Sequence, residues 1–367
     1  MLTDGEALRR AIVENPDEDT HRLVYADWLD ENGQPDRAAF IRAQIEAARA
    51  EPFSPQARAA KGKADELFKK NRPAWTTSIR DKVTDFWFKR GFVVGVKAEA
   101  SEFSRIAPPL FEAEPLQELT LSRSPDPDYW ASLEPVFEMP QLRRLRKLAL
   151  APRLELLYDE YGAISKSQHL DGLTDLSLRD NPIDPAWLQE VLSGDRFPSL
   201  AGFDITDCTN LGPRLVMALE RASHRTLRRL DVSRVMFPSD HLRRMLGCQC
   251  LQNVEELRVG CVARPSEPGP LFHLDLGWVM PWERLSVLDL SGQHLGDEGV
   301  KAITLAKEAT ALRWLGLANN SLGPESVRML VAAKHLKLYY LDVKGNGLNS
   351  AHLGVLQTRF EDAEVVG

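Results

Sequence analysis

Cysteine is scarce in this chain. Four cysteines, Cys208, Cys248, Cys250 and Cys261, among 367 residues do not make a disulfide framework. Long apolar runs are missing as well, so no segment is expected to span a bilayer. The opening stretch MLTDGEALRR lacks the apolar core of a secretory signal, which leaves a cytoplasmic protein as the expectation. There is no excess of positive charge: 46 Lys+Arg against 53 Asp+Glu leave −7, which argues against nucleic acid as the main partner. Nor are the common catalytic signatures present. There is no G-x-S-x-G elbow, no P-loop, no H-E-x-x-H and no G-x-G-x-x-G after a strand. The histidines are scattered and mark no triad. No catalytic residue, metal or cofactor is therefore assigned from sequence.

What is present is a repeat. The pattern apolar-x-x-apolar-x-apolar starts at Leu116, Leu145, Leu173, Leu200, Leu227, Val254, Leu285, Leu312 and Leu338. Successive starts lie 29, 28, 27, 27, 27, 31, 27 and 26 residues apart. Each copy predicts a short strand with alternate apolar side chains turned inward, then a turn, then a returning segment. One unit cannot bury its apolar edge alone, but a stack of them can. Eight residues after each start, an Asn or Cys can hydrogen-bond the turn; Asn181, Cys208, Asn320 and Asn346 occupy that place. Ser124, Arg153, Val235, Val262 and Gln293 stand there in the other copies and predict some irregular turns. The longest repeat holds ARPSEPGPLFH (263–273), whose prolines exclude a regular helix and predict a bulging loop.

These copies, and LSVLDLSGQHLGDEGVKAI (285–303) in particular, resemble the leucine-rich repeat family of ribonuclease-inhibitor-like class. The resemblance covers roughly residues 90–367. It implies an α/β solenoid, with parallel strands on a concave face and helices outside. Nine repeats would occupy 116–352, a strand cap 86–115 and a helix-plus-strand cap 353–367.

The first 50 residues predict a small all-α domain of three helices. Thr3 to Glu6 is a capping-box pattern, NPDEDT (15–20) breaks the first helix and offers capping groups to the second, and Asn32-Gly33 ends the second. Leu23, Val24, Trp28 and Leu29 would form the apolar side of the second helix, with Asp27, Asp30 and Glu31 opposite and Asp27 within reach of Arg37 or Arg42. Residues 51–85 predict a basic connecting helix, with Ala57, Ala60, Ala64, Leu67 and Phe68 on one side and Lys61, Lys63, Lys69, Lys70 and Arg72 on the other. Charge divides accordingly: residues 1–50 carry 6 basic against 11 acidic groups, and residues 51–90 carry 10 against 5. YADWLDENG (25–33), DRAAFIRAQ (36–44) and FKRGFVVGV (88–96) together resemble the repeat-companion family, a small N-terminal domain fused to repeat proteins, largely in planctomycete bacteria. That resemblance implies docking or assembly and no established activity.

The best candidate surface is the strand face. Positions two and four after each start should project from it. Position four yields Asp204, Asp231, Asp289 and Asp342 as a largely acidic stripe interrupted by Arg258, and position two yields Asp175, with Trp314 and Tyr340 as neighbouring aromatics. Two readings stand. Either the stripe only keeps an open strand face soluble, or it steers a basic protein segment. The aromatics either cover a neighbouring element or anchor a partner. The function expected is a non-enzymatic scaffold that binds a protein on this face, a basic one if the stripe steers it. The alternative is an enzyme or metal site built by the head, with Asp27, Asp30 and Glu31 as its groups. A minor alternative is an anionic partner for the basic connector. Cys248-x-Cys250 is not the Cys-x-x-Cys of a zinc knuckle, so buried free thiols are expected.

Overall fold

A computed structural model describes residues 3–124, 132–154, 156–237, 239–261 and 280–367. The chain forms two compact units, Met1–Leu173 and Thr174–Gly367. No helix among the described residues is long and apolar enough to cross a membrane.

The first unit opens with α1 (Asp4–Glu14), α2 (Asp19–Glu31), α3 (Pro35–Arg49) and α4 (Pro55–Trp75). Thr3 and Glu6 close the capping box that starts α1. The acidic run before α2 behaves otherwise than its sequence predicts: Glu18 is the N-cap and makes no side-chain bond, while Asp19 pairs with Arg49 at 2.9 Å. Gly33, at φ 75°, ends α2 in the left-handed conformation that glycine adopts without steric cost. Pro35 then starts α3, where its missing N–H costs nothing.

Ile12, Ala26, Leu29, Ala38, Ile41, Ile45 and Phe92 make the head core, with Leu23, Tyr25 and Trp28 packed on its margin. Val24 does not share that side. It is 47% exposed, because the buried stripe of α2 runs through Arg22, Ala26 and Leu29. Along α4, Ala60 and Ala64 are buried, and Leu67 and Phe68 pack on Phe40 and Ala43 of α3. Its lysines face out, and Lys70 pairs with Asp36 of α3 at 2.8 Å.

FWFKRGFVVGVKAEA is a hairpin rather than one strand. β1 (Asp85–Lys89) pairs antiparallel with β2 (Phe92–Glu99). Arg90 and Gly91, at φ 50° and 86°, supply the two left-handed residues a tight hairpin turn requires. A Cβ on Gly91 would lie 2.3 Å from Ile41 Cγ1, so only glycine lets this turn rest on α3. β2 is buried along most of its length, not on alternate residues, as a strand covered on both faces must be. After α5 (Ala100–Ala113) come β3 (Glu118–Ser122), α6 (Glu134–Phe137), β4 (Lys147–Leu150) and α7 (Tyr158–Lys166). Strands β2, β3 and β4 are parallel and in sequence order.

The second unit continues the repeat with β5 (Asp175–Ser177), α8 (Pro185–Ser193), β6 (Gly202–Asp204), α9 (Gly212–Glu220), β7 (Arg229–Asp231), α10 (Ser239–Leu246) and β8 (Glu256–Arg258). It closes with β9 (Val287–Asp289), α11 (Gly296–Leu305), β10 (Trp314–Gly316), α12 (Pro324–Ala332), β11 (Tyr340–Asp342), α13 (Ser350–Arg359) and β12 (Glu364–Val366). Every strand pairs parallel to the next in register, repeat position against repeat position. Each expected strand begins two residues after its start, and the residue three after the start is buried in every copy. The fold is a leucine-rich repeat solenoid of α/β class, and β12 is the closing strand expected at its end.

The turns after the strands are held by a ladder. Asn320 Oδ1 accepts the Gln293 and Leu295 N–H groups at 2.9 and 3.2 Å, and its Nδ2 donates to Leu290 O at 2.9 Å. Asn346 repeats this one unit later, accepting from Asn320 and Leu322 and donating to Leu317. Cys208 donates from Sγ to Leu178 O at 3.2 Å. Gln293, which the pattern excluded, takes part too: it is buried and its Nε2 donates to Val259 O. The expectation of irregular turns also fails at the Leu227 copy. There Arg234 is left-handed at φ 61°, matching Asp180, Asp207, Gly292, Asn319 and Gly345 at the same position. Position seven, not position eight alone, sets the turn, and Asp, Asn and Gly tolerate it best. Val262 and the predicted loop 263–273 lie outside the described residues.

Candidate functional site: the strand face of the second unit

Asp175, Asp204, Asp231, Arg258, Asp289, Trp314, Tyr340 and Asp342 are all half-buried on their strands, as the alternation requires. Their immediate surroundings separate them into three groups.

The first is structural. Asp204, Asp231, Asp289 and Asp342 each accept, through Oδ1, the backbone N–H two residues on, at Thr206, Ser233, Ser291 and Lys344, at 2.9–3.0 Å. Such a bond replaces a backbone turn contact and lets the chain leave the strand. The stripe is therefore periodic because the turn is periodic. Sequence reasoning had treated these carboxylates as surface charge only; their Asp-x-N–H spacing was the available signal.

The second group is neutralised. Arg229 reaches across β6 to Asp175, 2.8 Å away. A Cβ on the intervening Gly202 would stand 2.1 Å from Asp175 Oδ1 and 3.2 Å from Arg229 Nε, so glycine leaves the channel through which this pair meets. Asp204 accepts from Ser177 Oγ at 2.9 Å and lies 3.8 Å from Arg179.

The third group is a stack. The rings of Trp314 and Tyr340 lie parallel, 5° apart in plane and 5.1 Å between centroids. The Arg258 guanidinium sits 4.5 Å from the Trp314 centroid. Arg258 thus does not merely interrupt an acidic row; it is the first layer of an Arg–Trp–Tyr ladder. Trp314 leans over Gly316, where a Cβ would meet the ring at 2.8 Å. Asp289 lies between Gly260 and Gly316, whose missing side chains make room for its carboxylate. Among the described residues, Asp231, Asp289 and Asp342 form no ion pair. Burial, with Asp342, Glu364 and Asp289 nearby, raises the Tyr340 hydroxyl above its ordinary pKa. The two aromatic rings stack on each other, and Tyr340 stands in register with Glu364 of β12.

Two acids of the head meet on one arginine at the exposed side of α2. Asp27 and Asp30 both bind Arg42, at 2.6 and 2.7 Å, and stay 69% and 41% exposed. Glu31 is exposed on the same helix. Of the two basic partners considered, Arg42 takes the pair, while Arg37 turns inward, where burial lowers it to about 10. All four cysteines are free, and Cys261 alone is not fully buried. Burial pushes Cys208 and Cys261 up to about 11. Hydrogen bonding to Cys250, then burial, raises Cys248. Among the described residues, no group of three or more His, Cys, Asp or Glu is placed to hold a metal ion.

No protein-family model matches the chain, and no curated protein matches it. Among solved structures, it is similar to a chain of the yeast Rad7–Elc1 complex, at 13% identity and TM-score 0.48, covering 100% of this chain and 93% of that one. It is also similar to a Bacteroides fragilis protein, at 12% identity and TM-score 0.40, covering 80% of this chain and 85% of that one. A third similarity is to a chain of the mouse RP105/MD-1 complex, at 16% identity and TM-score 0.30, covering 72% and 58%.

Proposed function

We propose that this protein is a non-enzymatic interaction scaffold whose strand face binds a basic segment of a partner protein. The observation that carries this reading is the Arg258–Trp314–Tyr340 ladder beside three carboxylates with no cationic partner among the described residues. A preformed aromatic surface binds without ordering cost, and unneutralised carboxylates around it favour Lys or Arg. Asp231, Asp289, Trp314, Tyr340 and Asp342 are the contact residues of this proposal. Asp175 and Asp204, already engaged, contribute less. The helical head, read as a repeat-companion domain, serves docking or assembly.

The test is binding of a library of Lys/Arg-rich peptides to the full chain. Asp231→Asn, Asp289→Asn and Asp342→Asn keep the turn-capping oxygen and remove only charge. Combined, they should weaken capture and flatten its salt dependence. Trp314→Ala should cost about 2 kcal/mol, roughly thirtyfold. Equal binding by wild type, the triple variant and Trp314→Ala would remove the proposal.

A further inference from the structure

The head holds a second feature that the strand face does not use. A cleft of about 460 Å³ opens between α2, α3, α4 and the β1–β2 hairpin. Arg22 lies at its floor, only 1% exposed. Among the described residues its one hydrogen bond runs from Nη1 to Glu18 O at 2.9 Å, and its Nε has no partner. Its guanidinium passes 5.7 Å from the Phe92 ring centroid, which covers a face but satisfies no N–H. Among the described residues, no carboxylate pairs with it. A buried guanidinium left in this state is costly unless something with oxygen acceptors completes it.

The other charges of the cleft sharpen the point. Glu118 is engaged by Trp87 Nε1 at 2.6 Å and by Lys89. Asp17 accepts from Gln117 Nε2 at 3.1 Å. Lys61, by contrast, is exposed and has no ion-pair partner among the described residues. Gln44 turns its Oε1 to the Gly91 N–H at 2.7 Å, so its amide donors point away from that bond. Of the lining acids, Asp65 on the rim is the one without a partner among the described residues. Ala47, Ala64, Phe88 and Val94 supply an apolar wall. The volume exceeds that of a bare ion and suits a small organic molecule.

We propose that this cleft binds a small ligand with an oxyanion head, carboxylate or phosphate, carried on an apolar body. Arg22 receives the head, since its planar fork matches the two-oxygen edge of either group. Lys61 adds charge at the mouth, and the alanine, phenylalanine and valine side chains receive the body. Burial, and then the neighbouring Arg90, press on the charged form of Arg22, and the nearby carboxylates of Asp19 and Asp17 offset this only in part; a bound anion would add to that offset.

The experiment is calorimetric titration of the full chain at fixed ionic strength with phenyl phosphate, benzoate, inorganic phosphate and acetate. Saturable one-to-one binding is expected for phenyl phosphate or benzoate, and whichever binds identifies the head. It should exceed binding of the matching bare anion by about tenfold. Arg22→Gln should weaken it by about tenfold or more. Because Arg22 is buried, Lys61→Ala provides a second reading: the exposed change should leave the melting temperature unaltered and weaken binding about threefold. Absence of saturation with all four anions overturns the site. Wild-type affinity in both variants does the same, and a bare anion binding as tightly as its phenyl counterpart overturns the apolar body.

Discussion

Removing the Asn320 side chain should be among the most damaging single changes in the second unit. The residue is 0% exposed. Its amide serves four groups: the Gln293 and Leu295 N–H donors and the Leu290 and Ala318 carbonyls. In Asn320→Ala the two N–H groups stay buried, since the turn they belong to is packed between repeats, and each then lacks an acceptor. An orphaned buried donor costs about 1–3 kcal/mol. The two carbonyls lose less, because water or a neighbouring N–H satisfies a carbonyl more readily. About 3–5 kcal/mol is the expected total.

Asn320→Cys should fall between wild type and Ala, because Cys208 shows that a thiol donates across the same gap, at 3.2 Å to Leu178 O. Asn320→Asp keeps the acceptor but turns a second oxygen toward Leu290 O, and should lose as much as Ala. Urea titration gives the order. Hydrogen exchange locates it, since a repeat array loses stability first where an interface is weakened. The Gln293 and Leu295 amides should lose more protection on going from wild type to Asn320→Ala than the core amides of the first unit do. A loss below about 1 kcal/mol, with those amides as slow as wild type, would show that the ladder is decoration.

Three further outcomes are expected. Gly202→Val should separate Arg229 from Asp175, because the new side chain occupies the channel between them; a midpoint loss of about 1–2 kcal/mol is anticipated, and a double-mutant cycle with Asp175→Asn should be non-additive. Asp297 accepts the Gly323 and Ser326 N–H groups, both at 3.1 Å, and the Ser326 hydroxyl, which above all lowers its pKa. Its contribution is present above the unfolded value and is lost as pH falls through the lower folded value, so the gap between wild type and Asp297→Asn in urea midpoint should close below about pH 4; a gap constant from pH 6 to 2.5 would contradict this. Arg42→Ala releases two exposed carboxylates only, and should shift stability by less than about 1 kcal/mol; a larger loss would mean that Asp27 and Asp30 do more than decorate α2.

Which of these features could be read from the sequence follows a physical division. The strands were legible because a period of 26 to 31 residues fixes which leucine is central, and the structure places each where the period requires. The helices of the head were legible because Thr3, Gly33 and Pro35 act through local backbone chemistry. Pattern failed wherever a residue answers to a neighbour far along the chain. Val24 has helical spacing for the core, yet Arg22 takes the buried place because Phe92, from a distant hairpin, offers it a ring. Gln293 breaks the Asn-or-Cys rule, yet its longer arm still reaches Val259 O in the preceding repeat.

The strand face belongs to both classes at once. Asp204, Asp231, Asp289 and Asp342 share one repeat position because each caps its own turn, so their recurrence says nothing about a partner. What distinguishes the C-terminal part of the face is the neutralisation of those carboxylates. Asp175 has Arg229 opposite, with Gly202 between them to let the pair close. At β8 to β11 the available arginine, Arg258, is drawn instead onto Trp314, where the cation rests on a ring face and not on a carboxylate. Asp231, Asp289 and Asp342 are left with one oxygen spent on the turn and no ion pair among the described residues. The competition between a ring and a carboxylate for a single arginine decides where the face remains acidic, and it is there that the proposed basic segment would dock.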